Sequence, residues 1–204
     1  MKTTKEKVSY CIGLKTAENL KRQFSDMDIS LLKKGFDDAL SNSPPQLGGE
    51  EVDSIMEALR HQIESQQKQF VAKLSEQNRL EGEKFLADNR KKEGIVTLGS
   101  GLQYEVVTAG TGSKPTPLDV VSVHYRGNFI DGRIFDSSYE RGKPHSFPVN
   151  RVIPGWSEAL QLMHVGDKWK LFVPHYLAYG EAGFGNEIGP CMTLVFEMEL
   201  LGIN

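Results

Sequence analysis

The chain is poor in the residues that carry covalent and metal chemistry. Its 204 residues include two cysteines, Cys11 and Cys191, one in each half. Two isolated thiols imply no disulfide framework and fit a reducing compartment. The five histidines, His61, His124, His145, His164 and His175, lack metal-ligand spacing, so neither metal nor cofactor is expected. No serine stands in a nucleophile elbow and no phosphate loop is present. Gly183-Phe184-Gly185 lacks the third glycine of a dinucleotide fingerprint and reads as a loop. There is no basic block, and a formal net charge of −3 argues against a nucleic-acid partner. No apolar run approaches membrane-spanning length. The first twenty residues lack the apolar core and small-residue cleavage site of a secretory signal. A cytoplasmic protein without a membrane partner is therefore expected.

What is present differs between the halves. Before residue 94 glycine is sparse, tryptophan is absent and charges balance. Residues 5–24 read as an amphipathic helix with Tyr10, Leu14, Ala17 and Phe24 at helical spacing. A break over 25–28 follows, with Asp28 as N-cap. Residues 29–40 form a second helix whose apolar face is Ile29, Leu32, Phe36 and Ala39 or Leu40. Residues 41–49 are a loop by composition. From 50 to about 92 there is no proline and only Gly82 among glycines, which reads as one long helix. Its apolar stripe (Val52, Met56, Leu59, Ile63, Phe70, Leu74) ends at Leu74. The polar remainder reads as an exposed stalk, since helices polar all round usually bridge solvent. The expected organisation is a helical module over 1–49 that self-associates, a stalk helix over 50–93 and a second domain over 94–204.

The second domain reads as strands with one short helix, an α+β plan. Residues 102–108, 146–149 and 192–201 are strand candidates. Trp169, Leu171 and Val173 alternate on another. Residues 153–163 are the helical candidate, with Pro154 in its first turn, where a missing N–H costs little. Residues 174–190 form a long glycine-rich loop. The central stretch, 120–143, begins as a strand in which Val121, Val123 and Tyr125 face one way. Asp131-Gly132 marks a hairpin turn. Phe135-Asp136 then places a large ring beside a carboxylate, with Arg141 positioned to hold Asp136 ionised. On these two residues alone, a core ring and a turn-capping acid are the simpler reading.

Several motifs in order carry a resemblance: VHYRGNF, then FDSS with Arg141, then VIPGWSEALQLMHVGDKWKLFVP, then Tyr176 and Tyr179-Gly180, then TLVFEMELL. From about Gly101 onward the chain resembles the FKBP class of peptidyl-prolyl cis–trans isomerases. The helical first half is similar to the dimeric, macrophage-infectivity-potentiator-like bacterial branch, and most to its cytoplasmic member. The resemblance implies a homodimer through the N-terminal helices and a C-terminal antiparallel sheet wrapped around one short helix.

It also implies a pocket. Phe135, Asp136, Trp156 and Tyr179 take the catalytic positions. Tyr125, Arg141, Val152, Ile153, Phe184, Ile188 and Phe196 take the substrate-binding ones, with Trp156 as floor and the Ile153 N–H as a donor. His145, Arg151 and Phe184 depart from residues common in the family, and the loop is one residue longer near Leu177. These differences bear on peptide preference and on affinity for macrolides such as tacrolimus or rapamycin. The implied activity is X-Pro isomerisation in unfolded or prolyl-containing polypeptides, with chaperone-like client binding by the dimer. A module that binds prolyl segments without turnover shares every pocket residue and is the alternative.

Overall fold

The structure, a computed structural model, describes residues 1–24 and 26–204. It divides into two compact units, Met1–Gln62 and Ile63–Asn204. Of the expected break at 25–28, Ser25 lies outside the described residues.

Helix α1 (Thr4–Gln23) opens on a capping box, in which the Thr3 hydroxyl accepts from the Glu6 N–H and the Glu6 carboxylate accepts from the Thr3 N–H. Helix α2 (Ile29–Leu40) starts at Asp28, whose carboxylate accepts from the Ser30 and Leu31 N–H groups. Neither helix has a buried residue, and Tyr10, Leu14, Leu31, Phe36 and Leu40 are exposed. Helix α3 (Gly49–Asn89) runs unbroken for 41 residues, about 60 Å.

The remaining elements are β1 (Ile95–Thr97), β2 (Gln103–Thr108), β3 (Val120–Phe129), β4 (Ile134–Ser137), β5 (His145–Pro148), helix α4 (Pro154–Leu162), β6 (Lys168–Val173) and β7 (Leu194–Ile203). The strands form one antiparallel sheet in the order β1-β2-β6-β7-β3-β4, with β5 also paired to β3. Strand β3 alternates buried and half-exposed residues along its whole length, as its period of two requires. Its inward residues Val121, Val123 and Tyr125 pack with Leu171, Val173, Met198 and Leu200 from β6 and β7. Trp156, Ala159 and Leu160 of α4 close this core. Burying each such side chain contributes about 1.5–3 kcal/mol. Strand β1 is not among the strand candidates; it is three residues long and pairs with β2.

The stalk expectation is corrected over the last turns of α3. Asn78, Gly82 and Asn89 are buried there. Asn78 Nδ2 donates to the Pro190 carbonyl at 2.8 Å, and Asn89 Nδ2 to Gln103 Oε1 at 3.0 Å. Phe85 packs on Phe172, centroid to centroid 6.0 Å, on the sheet face opposite α4. This interface is made of amides, one glycine and the single ring of Phe85 rather than a leucine stripe, so an apolar-periodicity reading ends too early. The compact unit accordingly begins within α3 and not at Gly94.

Candidate active site

The antiparallel register brings the site together. Gly127 of β3 stands opposite both Asp136 of β4 and Phe196 of β7. Having no side chain on the inward face, it leaves room for two rings: a Cβ there would lie 2.5 Å from Phe135 Cζ and 3.0 Å from Phe196 Cε1. Trp156 reaches the same place from α4, because Pro154 starts that helix two residues earlier. The rings then meet edge to face: Phe135–Phe196 at 5.7 Å and 88°, Trp156–Phe196 at 5.1 Å and 82°, Tyr125–Trp156 at 4.9 Å and 73°. That arrangement sets the positive edge of one ring against the negative face of the next and holds the floor stiffly.

Above the floor is a cavity of about 560 Å³, within the range of small-molecule sites. Its walls are Tyr125, Phe135, Phe147, Trp156, Tyr179, Phe184, Phe196, Val152 and Ile153, with Asp136, His145 and Arg151 as the polar members. Phe184 is 63% exposed, a ring at the rim rather than in the core. The Ile153 backbone N–H makes no hydrogen bond to the described residues. The Tyr179 hydroxyl has no partner among them either, so both remain available as donors.

One polar set is fixed at the edge. The Tyr125 hydroxyl donates to Asp136 Oδ2 at 2.5 Å, Arg141 Nη1 binds Asp136 Oδ1, and Arg141 Nη2 donates to the Tyr125 hydroxyl at 2.7 Å. Beneath it, Ser138 Oγ accepts from the Tyr125 N–H at 2.8 Å. Burial alone would raise the Asp136 carboxyl, but the hydrogen bonds from Tyr125 and Arg141 outweigh it and hold the group below its usual range. Burial first, and the hydrogen bond to Asp136 second, push the Tyr125 phenol up to about 12. At neutral pH the set is therefore one carboxylate, one neutral phenol and one guanidinium. Burial and the charge of Asp136 raise Tyr179 as well, keeping its hydroxyl a donor. Among the described residues no three His, Cys, Asp or Glu side chains converge on a metal-sized site.

Of the sequence-expected site residues, Tyr125, Phe135, Asp136, Val152, Ile153, Trp156, Tyr179, Phe184 and Phe196 line one cavity. Arg141 reaches it through Asp136 and Tyr125. Ile188 is a correction: it is buried in the core and bound to the Phe184 backbone, so it supports a wall member without lining the cavity. Phe147 is the residue that sequence reading missed. It stands 5.5 Å from Trp156 and 5.6 Å from His145, ring to ring. Its signal is faint, one ring in a four-residue strand, and it reaches the cavity only because β5 pairs with β3.

Comparison with known proteins agrees with this geometry. The family model described as FKBP-type peptidyl-prolyl cis-trans isomerase matches residues 111–201. The model for the domain amino terminal to FKBP-type peptidyl-prolyl isomerase matches residues 5–106. The chain is 43% identical over 202 residues to the FKBP-type 22 kDa peptidyl-prolyl cis-trans isomerase of Escherichia coli (strain K12), covering 98% of this chain and 96% of that protein. It is 42% identical over 201 residues to the outer membrane protein MIP of Legionella longbeachae, covering 98% of this chain and 86% of that one. The crystal structure of FkpA from Escherichia coli matches with a TM-score of 0.79 at 34% identity, covering 100% of this chain and 98% of that one. With both halves matched by their models and relatives above 40% identity along nearly its whole length, the chain belongs to the FKBP-type peptidyl-prolyl cis–trans isomerase family.

Proposed function

We propose that this chain is a peptidyl-prolyl cis–trans isomerase acting on X-Pro bonds of unfolded or prolyl-containing polypeptides. The observation that carries the reading is the ring-floored cavity with a single fixed carboxylate at its edge. Rotation about an X-Pro bond is slow because amide resonance makes C–N partly double, a barrier of about 20 kcal/mol. No covalent bond breaks, so no nucleophile is required. The twisted amide has lost the charge separation of the planar one. Water stabilises the planar form more, whereas a water-poor aromatic cavity favours the twisted form, which is differential transition-state binding.

Phe135, Trp156 and Phe196 grip the proline ring. Tyr179 donates to a substrate carbonyl, and the Ile153 N–H to another. Tyr125 and Arg141 fix Asp136, whose charge acts on the rotating carbonyl. A protease-coupled assay on a short X-Pro peptide tests this, run with wild type and Asp136→Ala, with and without tacrolimus. Acceleration that tacrolimus suppresses and Asp136→Ala weakens supports the assignment. Exchange at the uncatalysed rate with wild type contradicts it.

The chain works as a homodimer through its N-terminal unit. The supporting observation is that α1 and α2 bury nothing in a single chain while presenting Leu31, Phe36 and Leu40. Two sites on one dimer raise apparent client affinity through effective concentration, which supports a chaperone-like role. If residues 63–204 alone, the compact unit with its docked turns of α3, refold a proline-limited protein as fast as the full chain, that role is wrong. Two free thiols, Cys11 exposed and Cys191 buried, favour the cytoplasm as the working compartment.

A further inference from the structure

Tyr179 and Phe184 are carried by the long loop between β6 and β7, and that loop is held from outside the cavity. Its neck is closed by the Cys191 N–H, which donates to the Gly180 carbonyl at 2.8 Å. Its tip is closed by Phe184 and Ile188, which exchange backbone hydrogen bonds at 2.8 and 3.1 Å. Cys191 adopts a left-handed φ of 56°, which a non-glycine residue keeps only where its surroundings impose it. The residue before it, Pro190, has no N–H of its own, and its carbonyl accepts from Asn78 Nδ2 of α3. Asn78 is only 9% exposed. One turn later Gly82 passes so close to Thr193 that a Cβ would lie 3.0 Å from Thr193 Cβ. Asn78 and Gly82, four residues apart, share one helix face and hold the loop's exit against α3.

We propose that Asn78 is a positioning residue for the isomerase site: its amide fixes the Pro190–Cys191 neck and thereby sets where Tyr179 and Phe184 stand. This rests on the isomerase reading of the cavity. Loss of the amide leaves a half-buried carbonyl without its donor, so the neck opens to find water. Tyr179 then samples positions from which its hydroxyl misses the substrate carbonyl, although no atom of α3 touches the cavity.

The test uses the full chain as Asn78→Leu and Gly82→Ala, with Gln77→Ala, an exposed neighbour, as control. Native-state hydrogen exchange is read at the Gly180, Phe184, Ile188 and Cys191 amides and across β3 and β7, beside kcat/KM on a short X-Pro peptide. Both variants are expected to exchange at those four loop amides at least tenfold faster, with β3 and β7 unchanged. The kcat/KM should fall about three- to tenfold. Gln77→Ala should change neither. Gly82→Ala displaces the helix without altering Asn78, so the idea remains testable if Asn78→Leu fails to fold. Loop amides that exchange as in wild type, or faster loop exchange with kcat/KM within twofold of wild type, overturn the proposal. So does loosening spread evenly over β3 and β7, the mark of a purely structural role. The exchange arm needs no turnover, so a wild type without activity would count against the isomerase reading and leave the loop anchor to be judged on exchange alone.

Discussion

Gly127→Ala probes the floor of the cavity with one methyl group. The position is buried on β3 and lies in ordinary strand geometry, so the substitution strains no backbone. The methyl would sit 2.5 and 2.7 Å from Phe135 Cζ and Cε2 and 3.0 Å from Phe196 Cε1. Carbon atoms in contact prefer about 3.5–4.0 Å, so a ring must retreat by roughly 1 Å. Phe196 is buried at 2% exposure, whereas Phe135 is only partly buried and is the ring that gives way. Overpacking of this kind costs about 1–3 kcal/mol, which the fold survives. The cavity does not survive it intact, because a misplacement of about 1 Å at a reacting centre can cost up to a hundredfold in rate. A protease-free isomerisation assay with thermal unfolding alongside should show a folded protein whose kcat/KM is lowered about ten- to hundredfold. A variant with unchanged kcat/KM would refute the claim that ring placement sets the rate.

Three further outcomes follow from the same geometry. Asp136 has a depressed folded-state value, so what its ionised form contributes is present above the unfolded carboxylate value and is lost only as pH falls through the lower folded one. The kcat/KM should therefore show no Asp136-dependent loss between about pH 8 and pH 5, and a limb in that window that Asp136→Asn removes would contradict this. Arg151 lines the cavity without an ion pair among the described residues, while Asp136 meets the charge of Arg141. Peptides with glutamate beside the proline should outperform lysine peptides several-fold at low salt, and Arg151→Glu should reverse the order; a preference that persists above about 0.5 M salt would not be electrostatic. Sedimentation should give twice the chain mass for wild type and the single-chain mass for Phe36→Glu/Leu40→Glu, since those exposed residues lie one turn apart on the apolar face of α2.

Much of the site was legible because its signals are local. The alternation in β3, the Asp131-Gly132 turn and Pro154 at the start of α4 each announce themselves within a few residues. What could not be read depends on partners far away in sequence. Phe147 becomes a wall residue only through the pairing of β5 with β3. Ile188 looks like a wall residue in a line of rings, yet its backbone bonds to Phe184 turn it into the core. The docking of α3 was invisible for a different reason. Asn78, Gly82 and Asn89 are residues that hydrophobic periodicity counts as solvent-facing, and only Gly82, the one glycine within the body of that helix, marks the close approach. The helices α1 and α2 were found almost to the residue, α1 from the helical spacing of its apolar residues and α2 because Asp28 caps it with a side chain that the sequence names outright.

The most direct measurement is magnetisation exchange by NMR between the cis and trans forms of a short X-Pro peptide, with a substoichiometric amount of the protein added. The account requires the interconversion to speed up in proportion to protein concentration, and the added rate to vanish when tacrolimus fills the cavity. Peptide resonances that shift on binding while cis and trans interconvert no faster would mean a cavity that holds proline without turning it.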